Sequence, residues 1–234
     1  MAIAPFLAMT AAEIRANPDV CSPIGWMACH FSPYGTGLGN LPEQLPEGSL
    51  LILNDRTPWW SHDPDQILRQ VNERIASLSC RGLLLDFQMP RVAEVTDLAR
   101  LLSTQLDCPV GVTETYAEGL DCPVFLPPVP LNQTAEEYLQ RWQGREIWLE
   151  LAPEGASVTV TTEGSRTTPL LPQDFPEAGF IDASMHLHYK TRVAEDHAFF
   201  SLWRTKEDLK TLLAEAEHYG VTTAVGLWQE MHAL

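Results

Sequence analysis

Short apolar runs alternate with stretches in which apolar residues recur at every third or fourth position, the pattern of strands and amphipathic helices taking turns. The segments 24–31, 49–55, 81–88, 109–114, 123–126, 146–151 and 221–228 read as strands. Between them, Asp63, Pro64 and Gln66 supply an N-cap, a first-turn proline and a third-position amide for a helix reaching residue 78. Residues 92–106 follow as a helix, and Thr134 opens another through residue 142. Residues 205–219 form the clearest helix: Leu209, Leu212, Leu213 and Ala216 share one face, and Gly220 ends it. The alternation breaks once, where 157–162 and 166–170 flank Glu163-Gly164-Ser165 and read as a β-hairpin, followed by extended segments at 185–192 and 197–203. Thr10-Ala11-Ala12-Glu13 reads as a capping box opening a short helix within an N-terminal extension, residues 1–20. With no repeat, linker or low-complexity tract, 1–234 reads as one domain. The pattern predicts an α/β fold, a single (β/α)8 TIM-type barrel with a β-hairpin insertion near residues 157–170. A doubly wound open sheet is the alternative.

Composition narrows the partners. The 234 residues carry 31 acidic against 15 basic side chains, a formal charge of −16. Such a surface repels phosphate backbones and anionic lipid, so neither nucleic acid nor membrane is an expected partner. The five cysteines, Cys21, Cys29, Cys80, Cys108 and Cys122, are odd in number and form no Cys-x-x-Cys pair, which argues against a disulfide framework or a zinc site. Reduced thiols, and an apolar start with no basic residue ahead of it, lead to the expectation of a cytoplasmic protein. No cofactor motif is present. Gly35-Thr36-Gly37-Leu38-Gly39 brings its third glycine one residue too early for a dinucleotide fingerprint and runs into Pro42 and Pro46 instead of a helix. It is expected to be a flexible rim loop.

The candidate chemistry centres on Arg81-Gly82-Leu83-Leu84-Leu85-Asp86-Phe87-Gln88. Alternation puts Leu84, Asp86 and Gln88 on one face and Leu83, Leu85 and Phe87 on the other. A buried parallel strand delivers its chemistry at the carboxyl end. The segment resembles the signature strand of the chitinase-type glycoside hydrolases of family 18, Asp-Gly-x-Asp-x-Asp-aromatic-Glu. Aligned on Gly82, the last Asp falls on Asp86, the aromatic residue on Phe87 and the catalytic Glu on Gln88, while the earlier aspartates fall on Arg81 and Leu84. The resemblance implies that Gln88 holds the place of the acid that protonates the leaving oxygen. It also implies that Asp86 holds the place of the residue steering the substrate's own acetamido group. An amide donates a hydrogen bond but delivers no proton, and general acid catalysis contributes roughly 10²–10⁴-fold. Gln88 is expected to lie within hydrogen-bond reach of Asp86.

A second stretch, from Phe199-Phe200-Ser201-Leu202-Trp203 through His218-Tyr219-Gly220 to Gly226-Leu227-Trp228, resembles the closing strand, helix and strand of the same family. That resemblance implies that Trp228 is a stacking platform for a sugar ring. The family's sixth-strand Met-x-Tyr-Asp, which holds the acetamido group, has no counterpart; Val124-Phe125-Leu126-Pro127-Pro128 stands near its place. If the strand ends converge, His30, Asp55, Asp86, Gln88, Glu114 and Glu150 are candidates for the mouth. Trp59 and Trp60 beside Asp55 would form an aromatic rim, and Glu114 and Glu150 are substitute acids. His186 and His188, two apart on an expected strand, could hold a metal with Asp55 or Glu150, though nothing reinforces them, and no metal is expected. No Gly-x-Ser-x-Gly elbow is present. The expected function is a catalytically degenerate, carbohydrate-binding barrel for N-acetylated or related glycans. An active hydrolase with a reassigned carboxylate and a scaffold without a ligand remain as alternatives.

Overall fold

The computed structural model describes residues 3–59 and 62–232. In chain order its elements are β1 (Phe6–Met9), α1 (Ala11–Ala16), β2 (Ile24–Phe31), β3 (Leu38–Gly39), β4 (Leu50–Asn54), α2 (Pro64–Leu78), β5 (Gly82–Asp86), α3 (Ala93–Gln105), β6 (Val110–Thr113) and β7 (Val124–Leu126). They continue with α4 (Ala135–Leu139), β8 (Ile147–Leu151), β9 (Gly155–Thr161), β10 (Gly164–Pro169), β11 (Phe180–Asp182), β12 (Leu187–Val193), β13 (His197–Trp203), α5 (Lys206–Ala216), β14 (Val221–Leu227) and α6 (Trp228–His232). Strands β1, β2, β4, β5, β6, β7, β8 and β14 pair in parallel in that order. β1 closes the ring by pairing with both β14 and β2. The (β/α)8-type barrel is therefore present, and β3 hangs outside it as a hairpin partner of β2.

The alternation of each strand sorts its side chains into two layers. Leu83, Leu85 and Phe87 join the large outer core beneath α2, α3, α4 and α5. Leu84 instead joins Phe6, Ala8, Leu50, Ile52, Phe125, Trp148 and Val225 inside the barrel. Trp148 is the largest side chain of that inner set, and two glycines make room for it. A Cβ on Gly111 would lie 2.2 Å from its ring, and one on Gly82 would lie 3.4 Å away. The helices start where their capping residues lie: Asp63 accepts from the Asp65 amide, and Thr134 and Thr205 close reciprocal boxes with Glu137 and Asp208.

Three expectations are corrected. The stretch expected to be an N-terminal extension instead supplies a barrel strand, Phe6–Met9, and the Thr10 capping box opens α1 directly behind it. The insertion is larger than a hairpin: β9 and β10 do form one, but β9 also pairs with β13, β13 with β12 and β12 with β11, giving a five-stranded antiparallel sheet between β8 and α5. His186 and His188 do not share a strand face, since His186 precedes β12 at φ 48° and points to Glu215 at 2.5 Å, while His188 approaches Asp208 at 3.3 Å. The glycine-rich loop makes hydrogen bonds within itself and to α2. Ser32 N donates to Gly37 O, Leu38 N donates to Gln70 Oε1, and the Gln66 amide donates to Thr36 O.

Candidate functional site

Inward-facing residues at the carboxyl ends of β5, β6 and β8 converge on a recess of about 300 Å³ lined by Asp86, Gln88, Thr113, Glu114, Thr115, Phe125, Pro127 and Glu150. Gln88, Pro127 and Glu150 are shared with a larger groove of about 940 Å³. That groove runs over Pro128, Pro130 and Leu131 to Glu154 and Glu230, and onto Ala156, Thr167 and Pro169 of the inserted sheet. Ala156 pairs with Pro169, and Thr167 pairs with Val158 two residues on from Ala156, so these lining residues lie on one face of that sheet.

Gln88 lies just beyond β5, and its backbone is fixed from behind. Its N–H donates to one Asp55 carboxylate oxygen at 2.9 Å and the Met89 N–H to the other at 3.0 Å, while Thr113 Oγ1 donates to Phe87 O at 2.8 Å. Phe87 is buried outward against Phe31 and Tyr116. With that frame set, the Gln88 amide donates to Asp86 Oδ1 at 2.9 Å. Burial raises the Asp86 carboxyl above the usual range; the Gln88 hydrogen bond and Arg56 pull it down, and Asp55 pushes it up.

Glu150 is the most perturbed acid of the mouth. Burial, reinforced by the negative charges of Asp86, Glu230 and Glu154, pushes its carboxyl up to about 7. Burial likewise raises Glu154 and Glu230. Glu114, in the same recess, meets Arg141 at 3.4 Å.

The structure thus brings Asp86, Gln88, Glu114 and Glu150 into one recess. The other sequence candidates lie elsewhere. Asp55 is buried and spends both oxygens on the Gln88 and Met89 amides, so it shapes the site from beneath instead of forming a rim. Trp59 packs its ring on Phe31 and His62, and His30 hydrogen-bonds Phe31 O and the Asn40 amide. Trp60 lies outside the described residues. Trp228 is half-buried at the start of α6, beyond β14, and lines neither cavity. The five cysteines are free, and among the described residues no group of three His, Cys, Asp or Glu side chains is arranged to hold a metal ion. Sequence reasoning missed Glu154 and Glu230. Both lie three residues past a barrel strand, one step further along than the strand-end rule was applied.

No protein-family model matches the chain, and no curated protein matches its sequence. Solved structures do resemble its fold. The spore cortex-lytic enzyme SleL of Bacillus cereus superposes with a TM-score of 0.58 at 9% identity, over 96% of this chain and 70% of its own. A family 18 chitinase of Cycas revoluta superposes at 0.57 and 11% identity, covering 98% of this chain and 96% of its own; it was solved as a Gly→Trp/Glu→Gln double mutant with (GlcNAc)4. A chitinase of Chromobacterium violaceum superposes at 0.51 and 9% identity, covering 98% of each chain. Identities this low carry the fold alone, and with the closed ring of eight parallel strands they show that the chain has the barrel fold of the family 18 chitinases and of SleL.

Proposed function

We propose that the protein binds an amino-sugar glycan, N-acetylated or related, in the mouth formed by Asp86, Gln88, Glu114 and Glu150, and that it does so without the acid of the chitinase signature strand. The observation that carries this reading is the Gln88 amide, held in the mouth and donating to Asp86. An amide there can orient a hydroxyl or a glycosidic oxygen but has no proton to transfer. The shape agrees, since a recess opening into a long groove suits several linked rings better than one small molecule. The chitinase of the same fold was solved with (GlcNAc)4. Calorimetric titration with a panel of chito-oligosaccharides, their de-N-acetylated forms and neutral cello-oligosaccharides is the test. Binding that strengthens with oligomer length and is lost in Gln88→Ala supports the proposal, and no heat with any glycan overturns it.

One observation favours a second reading, a hydrolase with a reassigned acid. Glu150, with its carboxyl near 7, would be protonated in part at neutral pH, as a general acid must be. Release of reducing ends by the wild type, abolished by Glu150→Gln, would establish it.

A further inference from the structure

Asn54 and Asp55 stand side by side where β4 ends, and both are buried, yet neither lines the recess or the groove. Their side chains reach in opposite directions around the ring. Asn54 Nδ2 donates to Cys29 O at 2.8 Å and to Met27 O at 3.1 Å, on the stretch of β2 where the register with β4 shifts between Trp26 and Cys29. A bulge disrupts the ladder locally, and the Asn54 amide gives these carbonyls a donor. Asp55 reaches the other way, taking the Gln88 and Met89 N–H groups on its two oxygens at 2.9 and 3.0 Å. Asn54 also stands opposite Asp86 in the register of β4 with β5. The carboxyl ends of β2, β4 and β5 are therefore fastened to one another in turn, and the last link in the series is the backbone of Gln88.

Resting on the glycan reading above, we infer that Asn54 and Asp55 are a positioning pair for ligand binding. Asp55 fixes the backbone from which the Gln88 amide reaches into the mouth, and Asn54 fixes the strand end that carries Asp55. Stability alone is a poor reason for this aspartate. Burying a carboxylate is costly, and among the described residues no Lys, Arg or His forms an ion pair with Asp55, so backbone amides balance its charge. Two charge-assisted bonds to consecutive N–H groups set the direction in which the chain leaves β5. That direction matters to a ligand, because a binding constellation must be held to within about 0.5 Å. Gln88 lies beyond Asp86, the last residue of β5, where the ladder no longer holds it. Thr113 and Tyr116 complete the frame, donating to Phe87 O and to Met89 O and Pro90 O.

The test joins calorimetric titration of an N-acetylglucosamine hexamer and its de-N-acetylated counterpart with hydrogen exchange at single amides, read by NMR. The proteins are the wild type, Asp55→Asn, Asn54→Ala and, as a control, Leu212→Ala, which opens the outer core under α5 and lines neither cavity. Asp55→Asn turns one acceptor into a donor facing an N–H, so affinity should fall about tenfold or more. Asn54→Ala should weaken binding about threefold and speed exchange at the Gln88 and Met89 amides, which Asn54 does not touch, while Leu84 and Leu85 keep their protection. Leu212→Ala should lower the unfolding midpoint and leave affinity within about twofold. Wild-type affinity in Asp55→Asn overturns the inference and leaves the glycan site standing. A loss in Leu212→Ala as large as that in Asp55→Asn overturns it too, since binding would then follow overall stability. Unchanged exchange at Gln88 and Met89 in Asn54→Ala overturns the pair. If Asp55→Asn does not fold, Asp55→Ser, with a smaller side chain and a single acceptor, carries the same affinity test. Failure of the wild type to bind either hexamer overturns both readings.

Discussion

Glu150 concentrates the energetics of the mouth in one residue. Its carboxyl is raised from 4.5 to about 7 because burial and three carboxylate neighbours disfavour its charge. A raised acid stabilises the fold while it is protonated. That contribution is complete below about pH 4.5, declines as pH rises and is gone above about 7. Glu150→Gln keeps the shape and removes the charge, so the variant should gain stability over the wild type as pH rises. Urea denaturation should show its advantage growing by roughly 2 kcal/mol between pH 5.5 and pH 8; an advantage that does not change with pH would contradict the assignment. Gln88→Glu works in the opposite direction. The new carboxyl would lie beside Asp86 and be raised by it, as a general acid requires. Yet Val124-Phe125-Leu126-Pro127-Pro128 provides nothing to hold an acetamido group, so release of a fluorescent aglycone from an N-acetylglucosamine oligomer should stay at background. A clear rise would mean that only the acid was lacking.

At the scale of elements, the inner layer of the barrel depends on a large residue facing small ones. Gly111→Ala on β6 would drive a Cβ to 2.2 Å from the Trp148 ring inside the barrel, where the ring has little room to retreat. The expected loss is at the upper end of about 1–3 kcal/mol in thermal or chemical unfolding, partly restored by adding Trp148→Phe. The strands and helices of the barrel were legible because their patterns are local. An apolar run ending in Asp86, or a helix opening at Thr205 and closing at Gly220, announces itself within a few residues. β1 was not legible, since its four residues Phe6–Met9 carry no turn signal before them and become a strand only by lying between β2 and β14. The β9–β10 hairpin could be read from Glu163-Gly164-Ser165, whereas the pairing of β9 with β13 joins distant segments and has no local mark. The same division holds in the site. Asp86, Gln88, Glu114 and Glu150 stand at or just past strand ends and were found. Asp55 also stands just past a strand, but its work is accepting two backbone amides 33 and 34 positions away, which composition cannot reveal.

Across the whole molecule, the inserted sheet is tied to the barrel through Arg204, which is only 1% exposed. Its guanidinium bonds Met185 O next to β12, and Val129 O and Pro130 O in the loop that follows β7. That loop is the proline wall of the groove, so this side chain joins the sheet to the wall, beside the contacts of His186 and His188 with α5. Arg204→Met should cost at least about 2 kcal/mol, because three carbonyls lose a charged donor. Hydrogen exchange should accelerate in residues 180–203 while β4 and β5 keep their protection; uniform acceleration across the barrel would mean that Arg204 supports the fold as a whole. The ring closure has a consequence in time. The Ile3 N–H donates to Glu217 Oε1 across 214 positions of sequence, and β1 pairs with β14, the last strand of the ring to be made. At roughly 5–20 residues per second, the ribosome takes on the order of 10–40 s to make the chain between them. Through that interval the first strand of the nascent barrel waits with one edge unpaired, open to any other strand it meets, until β14 emerges to cover it.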